Sequence, residues 1–422
     1  MRILLNTDKI IGGYSAYTKQ GFEMATRLAK KGHFVAHVPM GRVNRMSDIV
    51  DQGVLITRSG LNPWNDDVIR RRYVDSKADM LITLKEPWLF DPNGQTIRSA
   101  INNVPYGIID HDPVSPAITS KLHTTFKIIA PSRFAERQLR NSGFQNVVYI
   151  PHGIDWNTYK ILEGHKAECK KLWYMKDPEI FTGIIIARNQ GRKMLPRQIR
   201  GYARFLELNP DIRKTNMIIW SDARGQTQAD ADEAAILGIS SQGIDIMHEL
   251  RLLGLDEPRD RITIPSIEVI SQGVPDWSGP DYTNAFDMVK LYNAADFVML
   301  CSGGECVGMP LIEGASCGTA GITTDATGGP EHVGPGLTVK WDDYINLGSS
   351  GARYFLASID GMAEAITRIY NTDREKLGHR ARSWAKRFDW ETGVMSYWDK
   401  FLEDCETELR PRVTSEGVKA WA

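Results

Sequence analysis

Short apolar runs of strand length alternate along this chain with longer amphipathic segments. That alternation is the pattern of βα units and of parallel sheets. Residues 2–5 read as a first strand, 6–13 as a loop, and 14–31 as a helix with Phe22, Ala25, Leu28 and Ala29 on one face. Gly32 ends that helix, and a strand follows at 34–38. Further strands are expected at 80–83, 106–109, 127–130 and 147–150, with a helix at 132–141 capped by Ser132 and closed by Gly143. A polar stretch, 157–179, reads as a connection. A second series then begins, with strands at 181–187, 216–220, 262–264, 297–300 and 319–322 and helices at about 193–208, 240–253, 284–294 and 309–317. After residue 357 the chain reads as helical to near its end, broken around Thr372 and Asp389.

A chain of 422 residues exceeds what one hydrophobic core organises. The two series therefore become two α/β domains, expected at 1–175 and 176–388, with a tail at 389–422. The formal net charge is -1, so no global field draws the chain to nucleic acid or to acidic membranes. The N-terminus lacks the long apolar stretch of a signal peptide, and no apolar run is long enough to span a bilayer. Five cysteines, an odd number without a C-x-x-C, fit a reduced, cytoplasmic setting. Cys301, Cys306 and Cys317 lack zinc-ligand spacing and read as small buried residues.

The most informative segment runs from Ser302 to Gly314, SGGECVGMPLIEG, after an apolar strand. Pro310 suits the first turn of a helix, where its missing N–H costs nothing. Amides around Cys306, Val307, Gly308 and Met309 then point out of the helix N-terminus, which is an anion site. Glu305 in the loop and Glu313 a turn into the helix add carboxylates suited to hydroxyls. Amides for phosphate and carboxylates for hydroxyls suit a sugar nucleotide; the plain alternative is two glutamates that serve only the helix dipole.

Positive charge comes from the strand that ends in Arg188-Asn189-Gln190-Gly191-Arg192-Lys193. Cations at the C-terminal end of a parallel strand sit where open α/β sheets bind ligands. Arg188 can clamp a diphosphate through two N–H bonds and Lys193 can add a point charge; the plain alternative is a solvated basic loop. Arg192, Arg197 and Arg200 read as exposed. His111, in YGIIDHDP, ends a strand of the first domain, where it either touches a transferred sugar or is structural. Gly12 and Gly13 open the first helix and would admit phosphate near the main chain, or form a plain turn. Neither G-x-G-x-x-G nor a Gly-Lys pair occurs, so a dinucleotide cofactor and a Walker-type nucleotide loop are both unsupported.

Taken together and in order, these segments resemble the large retaining glycosyltransferase family 4 of the GT-B fold. Glu305 and Glu313 match its E-x7-E motif. Arg188 and Lys193 match the pair that holds the donor diphosphate, His111 its histidine after a first-domain strand, and Gly12-Gly13 its N-terminal glycine loop. Gly32-His33-Phe34-Val35, Ser132-Arg133, Pro151-His152-Gly153-Ile154-Asp155, Ala294-Ala295-Asp296 and Gly328-Gly329-Pro330-Glu331 add to the likeness, which covers residues 1 to about 402. The chain departs from the family at Cys306 and Val307, where glycine and an aromatic are usual, and in a longer 223–280 segment.

The resemblance implies two Rossmann-like domains facing a cleft, a nucleoside diphosphate sugar (UDP- or GDP-linked) as donor, and a carbohydrate, lipid-linked or other hydroxyl acceptor. It implies no cofactor and no divalent metal, because Arg188, Lys193 and the amides near Gly308 stabilise the leaving diphosphate. Glu313 would take the ribose hydroxyls, and Glu305 would position the sugar. The last helix, 390–403, would cross back to the first domain by an apolar face of Trp390, Val394, Tyr397, Trp398 and Phe401.

Four rivals remain at this level. Asp230-Ala231-Asp232 has the letters of a metal-dependent transferase but reads as a solvated helix start. A sugar-nucleotide epimerase can share the two-domain fold. A non-catalytic sugar-nucleotide-binding protein would use the same groups. The basic stretches 70–72 and 188–200 would serve a transferase acting on nucleic acid, which the overall charge disfavours. Lys19, Arg27, Lys30 and Lys31 would allow peripheral membrane contact, and read more simply as a solvated helix face.

Overall fold

The structure is a computed structural model, and it describes residues 1–10, 15–41, 47–62, 64–90, 98–172, 175, 177–221, 243–256, 262–264, 288–346 and 351–409. The chain divides into two compact units. The first comprises Met1–Ile109, Val114–Gly153 and Trp390–Ala422, and the second Asp110–Pro113 and Ile154–Asp389.

The first unit is built on β1 (Arg2–Thr7), β2 (Phe34–Pro39), β3 (Ile49–Asp51), β4 (Val54–Ile56), β5 (Met80–Leu84) and β6 (Asn103–Pro105), in the order β3-β4-β2-β1-β5-β6. All pairs are parallel except β3 with β4. β7 (Ile128–Ala130) and β8 (Val147–Tyr149) form a second parallel pair. Strands covered on both faces read as continuous apolar runs, and Ile3, Leu4, Leu5, Leu81 and Ile82 are all buried. The helix Ala16–Lys30 starts where the Ser15 hydroxyl accepts from the Thr18 amide, and the chain leaves it through Gly32 at φ 88°. Ser132 caps the helix Arg133–Asn141 in the same way, through the Ala135 amide.

The strand expected at 106–109 lies three residues earlier. After Pro105 the backbone leaves β5 and turns to β7: the Tyr106 amide still donates to Thr83, but Gly107 donates to Ile129. Ile108 and Ile109 are buried without joining the ladder, and burial was what their apolar character signalled.

The C-terminal residues belong to the first unit. A π-helical turn at Trp390–Val394 leads into the helix Met395–Glu408. Trp390, Val394, Trp398 and Phe401 are buried, while Tyr397 is exposed and meets Tyr149 edge-on. Gly153 lets the Trp390 indole pack on the backbone; a Cβ there would lie 2.5 Å from the ring. Two of the basic residues considered for membrane contact are engaged here, Arg27 with Glu391 at 2.8 Å and Lys31 with Asp399 at 2.6 Å.

The second unit carries β9 (Phe181–Ile186), β10 (Thr215–Trp220), β11 (Ile262–Thr263), β12 (Phe297–Leu300), β13 (Ala320–Thr324) and β14 (Leu337–Val339), in the order β11-β10-β9-β12-β13-β14. Every pair is parallel. Phe181, Phe205, Met217, Phe297, Met299, Ile322, Met362 and Ile366 pack its core. An antiparallel hairpin, β15 (Trp341–Asn346) with β16 (Arg353–Ala357), follows. It went unread because β15 is exposed at all six positions, so no buried face imposed an apolar alternation.

The stretch 157–179, read as a connection, is fastened to the second unit. Ser316 Oγ donates to the Tyr159 carbonyl, Asn293 bonds Lys160 and Leu162, and Lys166 and Lys170 reach the Asp296 carboxylate. Its polarity reflects these anchors.

Candidate functional site

β9 and β12 are neighbours in register, Phe297 beside Gly183. The loops that leave their C-terminal ends, 187–194 and 301–308, therefore emerge side by side, at the place where open α/β sheets take ligands. After β9 a single 3-10 turn, Gly191–Lys193, runs into Met194 at φ 49° before the helix Leu195–Leu208 begins. After β12, Gly308 at φ 77° opens the helix Met309–Ser316, with Pro310 in its first turn. The Gly303 amide donates to the Arg192 carbonyl (2.8 Å), which ties the two loops together.

Lys193 and Glu305 meet on this seam. Lys193 Nζ donates to Glu305 Oε1 at 2.5 Å, with side chains 13% and 10% exposed. Burial and the neighbouring Arg192 depress the Lys193 ammonium below the ordinary lysine value, against the pull of Glu305 and Asp110. Burial would raise the Glu305 carboxyl, but Lys193 and Arg192 outweigh it and hold it below its ordinary range. The backbone of Glu305 is fastened as well: its amide donates to Thr327 Oγ1 at 3.0 Å and its carbonyl accepts from Gly328 at 2.8 Å. Gly328 must be glycine, since a Cβ would lie 2.1 Å from the Cys306 carbonyl oxygen.

Arg192 is not a solvated residue. Its side chain is 28% exposed and lies between two carboxylates, 3.6 Å from Glu305 Oε2 and 3.4 Å from Asp110 Oδ2, with Nη1 also donating to the Gly304 carbonyl at 3.1 Å. Its direction follows from the 3-10 turn and the left-handed Met194, which no periodicity reports. Arg197 and Arg200 pair with Asp342 and Glu249. Arg188 is exposed on the loop after β9.

His111 belongs with this unit. Its Nδ1 lies 2.8 Å from Asp110 Oδ1, and its ring centroid 6.0 Å from that of Tyr354 on β16. The Asp110 carbonyl packs against Gly304, where a Cβ would collide with it. Asp112 is gripped by Arg353, which donates to its carbonyl and to Oδ2, both at 3.0 Å. Burial alone would raise the Asp110 carboxyl, but Arg192, His111 and Lys193 keep it below its ordinary value. Tyr354 is pushed upward by burial and by Asp110, so its hydroxyl stays protonated.

Glu313 has different company. It is buried in the helix Met309–Ser316, where Oε2 accepts from the Tyr292 hydroxyl at 2.7 Å. Cys306 and Val307 are buried in the loop, and all five cysteines are buried and outside any disulfide. The seam thus gathers Lys193, Glu305, Cys306, Val307, Gly308 and Met309 with Asp110 and His111; it draws in Arg192, read from the sequence as exposed, and adds Arg353, Tyr354 and Thr327, which no motif named. Arg192 alone had a sequence signal, its place beside Lys193 in a loop after a strand. Gly12, Gly13, Asp230, Asp232 and most of 223–280 lie outside the described residues. Among the described residues no group of three or more His, Cys, Asp or Glu is arranged to hold a metal ion, and no helix is long and apolar enough to cross a membrane.

No protein-family model matches the chain. A D-inositol 3-phosphate glycosyltransferase from Saccharomonospora viridis is 28% identical over 155 residues, 36% of this chain and only 32% of that relative's length. Among solved structures, a sucrose-phosphate synthase from Thermosynechococcus elongatus superposes with a TM-score of 0.69 at 15% identity, over 96% of this chain and 100% of its own. HepE of Anabaena, solved with UDP and glucose, superposes at 0.63 and 16% identity, again over 96% and 100%. The fold is that of the GT-B glycosyltransferases. An α,α-trehalose-phosphate synthase (UDP-forming) from Burkholderia xenovorans, in complex with glucose-6-phosphate, superposes at a TM-score of 0.63 and 11% identity, over 96% of this chain and 100% of its own. At such identities the likeness speaks for the GT-B architecture, and the chemistry rests on the seam between β9 and β12.

Proposed function

We propose that this chain is a retaining, metal-independent glycosyltransferase of family 4 type that moves a sugar from a nucleoside diphosphate sugar to a hydroxyl acceptor. The observation that carries the reading is the meeting of Lys193 and Arg192 with Glu305, beside the N-terminus of Met309–Ser316. Cations, helix amides and a carboxylate in one place suit a diphosphate with a sugar attached to it. Lys193 and Arg192, joined by Arg188 from the loop rim, would neutralise the charge that grows on the leaving diphosphate, the task a divalent ion performs elsewhere. Glu305 would hold sugar hydroxyls, Glu313 the ribose, and His111 the transferred ring. The ligands bound in HepE, UDP with glucose and UDP-glucose, support a nucleotide-sugar donor.

The test is a thermal-shift screen of UDP- and GDP-linked sugars in excess chelator, followed by transfer assays and NMR assignment of the product anomer. Stabilisation by a donor, activity that survives the chelator and a retained anomer are expected. Activity lost to the chelator would reject the metal-independent reading. Turnover of donor without any acceptor to an isomeric sugar nucleotide would instead reveal an epimerase.

A further inference from the structure

The formal net charge of -1 is unevenly spread. The helix Arg374–Ala385 and the 3-10 turn Lys386–Phe388 that continues it carry six Lys and Arg against one Glu over residues 374–387. Two of those cations are tied to the second unit: Arg374 reaches Asp296 at 3.2 Å, and Arg382 donates to the Tyr159 and Ser316 carbonyls and lies over the Trp156 ring. Lys376, Arg380, Lys386 and Arg387 are exposed, and among the described residues no carboxylate lies within ion-pair reach of any of them. Exposed cations on other helices do find one, as Arg140 finds Glu136 and Lys400 finds Asp404.

Helical spacing gathers these groups into one stripe. Lys376, His379, Arg380, Ser383 and Trp384 fall at i, i+3, i+4, i+7 and i+8, a single face of the helix, and Arg387 continues it. Gly378, Ala381 and Ala385, on the opposite face, are buried. The stripe borders a cavity of about 610 Å3 whose far wall is Gly334 and Pro335. Trp384 packs against Gly334, where a Cβ would lie 2.4 Å from the indole, and the Arg387 guanidinium is 5.3 Å from the indole centroid. A half-buried indole thus stands among unpaired cations, which is the pairing of side chains that suits a lipid headgroup layer.

We propose that this face, Lys376 to Arg387, docks the protein on an anionic phospholipid surface, with the four cations against the headgroup phosphates and Trp384 at headgroup depth. Charge complementarity sets the sign of the partner. Its extent follows from the spacing: Lys376 and Arg387 are roughly 17 Å apart along the axis, too far for one phosphate and within reach of a plane of them. The docking does not depend on the glycosyltransferase reading, and it lies on a different helix from Lys19, Arg27, Lys30 and Lys31 of the first unit.

The experiment is co-sedimentation of the full chain with phosphatidylcholine vesicles, with and without phosphatidylglycerol. Binding to the anionic vesicles alone, falling as salt rises, is expected. Lys376→Glu combined with Arg380→Glu should weaken it about 30-fold or more, on the scale of roughly 5-fold per cation lost. Both side chains are exposed, so the thermal midpoint should stay at the wild-type value. Lys376→Gln with Arg380→Gln, which removes charge without reversing it, gives the same reading if the reversed variant does not fold. A wild type that ignores the anionic vesicles, or binds both kinds equally, overturns the proposal without any variant. So does binding abolished by Lys30→Glu but kept by the double variant. Displacement from the vesicles by inorganic phosphate at an ionic strength where chloride has no effect would mark a small-anion pocket instead, and tighter retention on single-stranded RNA than on the vesicles would mark a nucleic-acid face; either result overturns it as well.

Discussion

Lys193 Nζ and Glu305 Oε1 lie 2.5 Å apart, each at the end of a loop that leaves one of two adjacent parallel strands. The contact pairs the two charges before any ligand arrives, so under the proposed function a diphosphate would have to compete with Glu305 for Lys193. Release of Glu305 as the diphosphate engages Lys193 would free a carboxylate for the sugar at the moment it is needed.

Lys193→Ala should therefore damage both chemistry and fold. Loss of the cation opposite the leaving group is expected to raise the barrier by roughly 2–4 kcal/mol, about 30- to 1,000-fold in rate. The buried carboxylate left behind should lower stability by about 3–5 kcal/mol, and Lys193→Ala combined with Glu305→Gln should recover part of that. Steady-state kinetics and urea unfolding of the single and double variants check it. Unchanged turnover in Lys193→Ala would contradict the assigned role.

Acid should act on the same pair. A carboxyl depressed on folding stabilises the native state above its unfolded value and loses that contribution as pH falls through the folded one. For Glu305 the ordinary value is 4.5, so the difference in stability between wild type and Glu305→Gln should be constant above about pH 5 and shrink below it. On the alkaline side, burial and Arg192 depress Lys193 from 10.5, so the rate should begin to fall before that pH. Unfolding curves and a pH–rate profile report the two limbs.

A glycine of the site and one outside it differ in what surrounds them. A Cβ on Gly304 would sit against the Asp110 carbonyl, backbone that cannot swing aside, so Gly304→Ala should cost more than the roughly 1–3 kcal/mol of ordinary overpacking. Gly254, at φ 65° with open space around it, should cost only about 1–2 kcal/mol as alanine, the backbone term alone. Denaturant titration of the two variants separates steric from conformational cost.

Asp296 tests stability away from the seam. Its side chain is 3% exposed and meets Lys166 at 2.7 Å, Arg374 at 3.2 Å, Lys170 at 3.4 Å and the Thr182 amide at 2.8 Å. Asp296→Ala would leave cations facing one another, and a loss of about 3–5 kcal/mol is expected. UDP affinity measured by calorimetry below the unfolding transition should stay unchanged, which sets this cluster apart from Lys193.

Much of this was legible from residues alone, for a definite reason. The strands of both sheets are buried on two faces, so their apolar runs at 181–187 and 297–300 carried the signal undiluted. Ser132, Gly32 and Pro310 act within a few residues of themselves, so caps and helix starts were readable too. What went unread is non-local. Exposed β15 has no buried face to report, and Ile108 and Ile109 are buried for packing, outside any ladder. Arg192 looked like solvated charge because its two carboxylate partners lie far along the chain, Asp110 before it and Glu305 after it.

The sequence by itself determined that two parallel α/β series would form, and which loops would carry glycines, cations and carboxylates, because periodicity and capping are local properties of the chain. Tertiary structure alone decided the company those groups keep: Glu305 with Lys193, Glu313 with Tyr292, His111 with Asp110 and the second unit. Strand order brings β9 beside β12, although more than a hundred residues separate them (Phe181 to Phe297), and that adjacency is what turns two ordinary loops into one charged site.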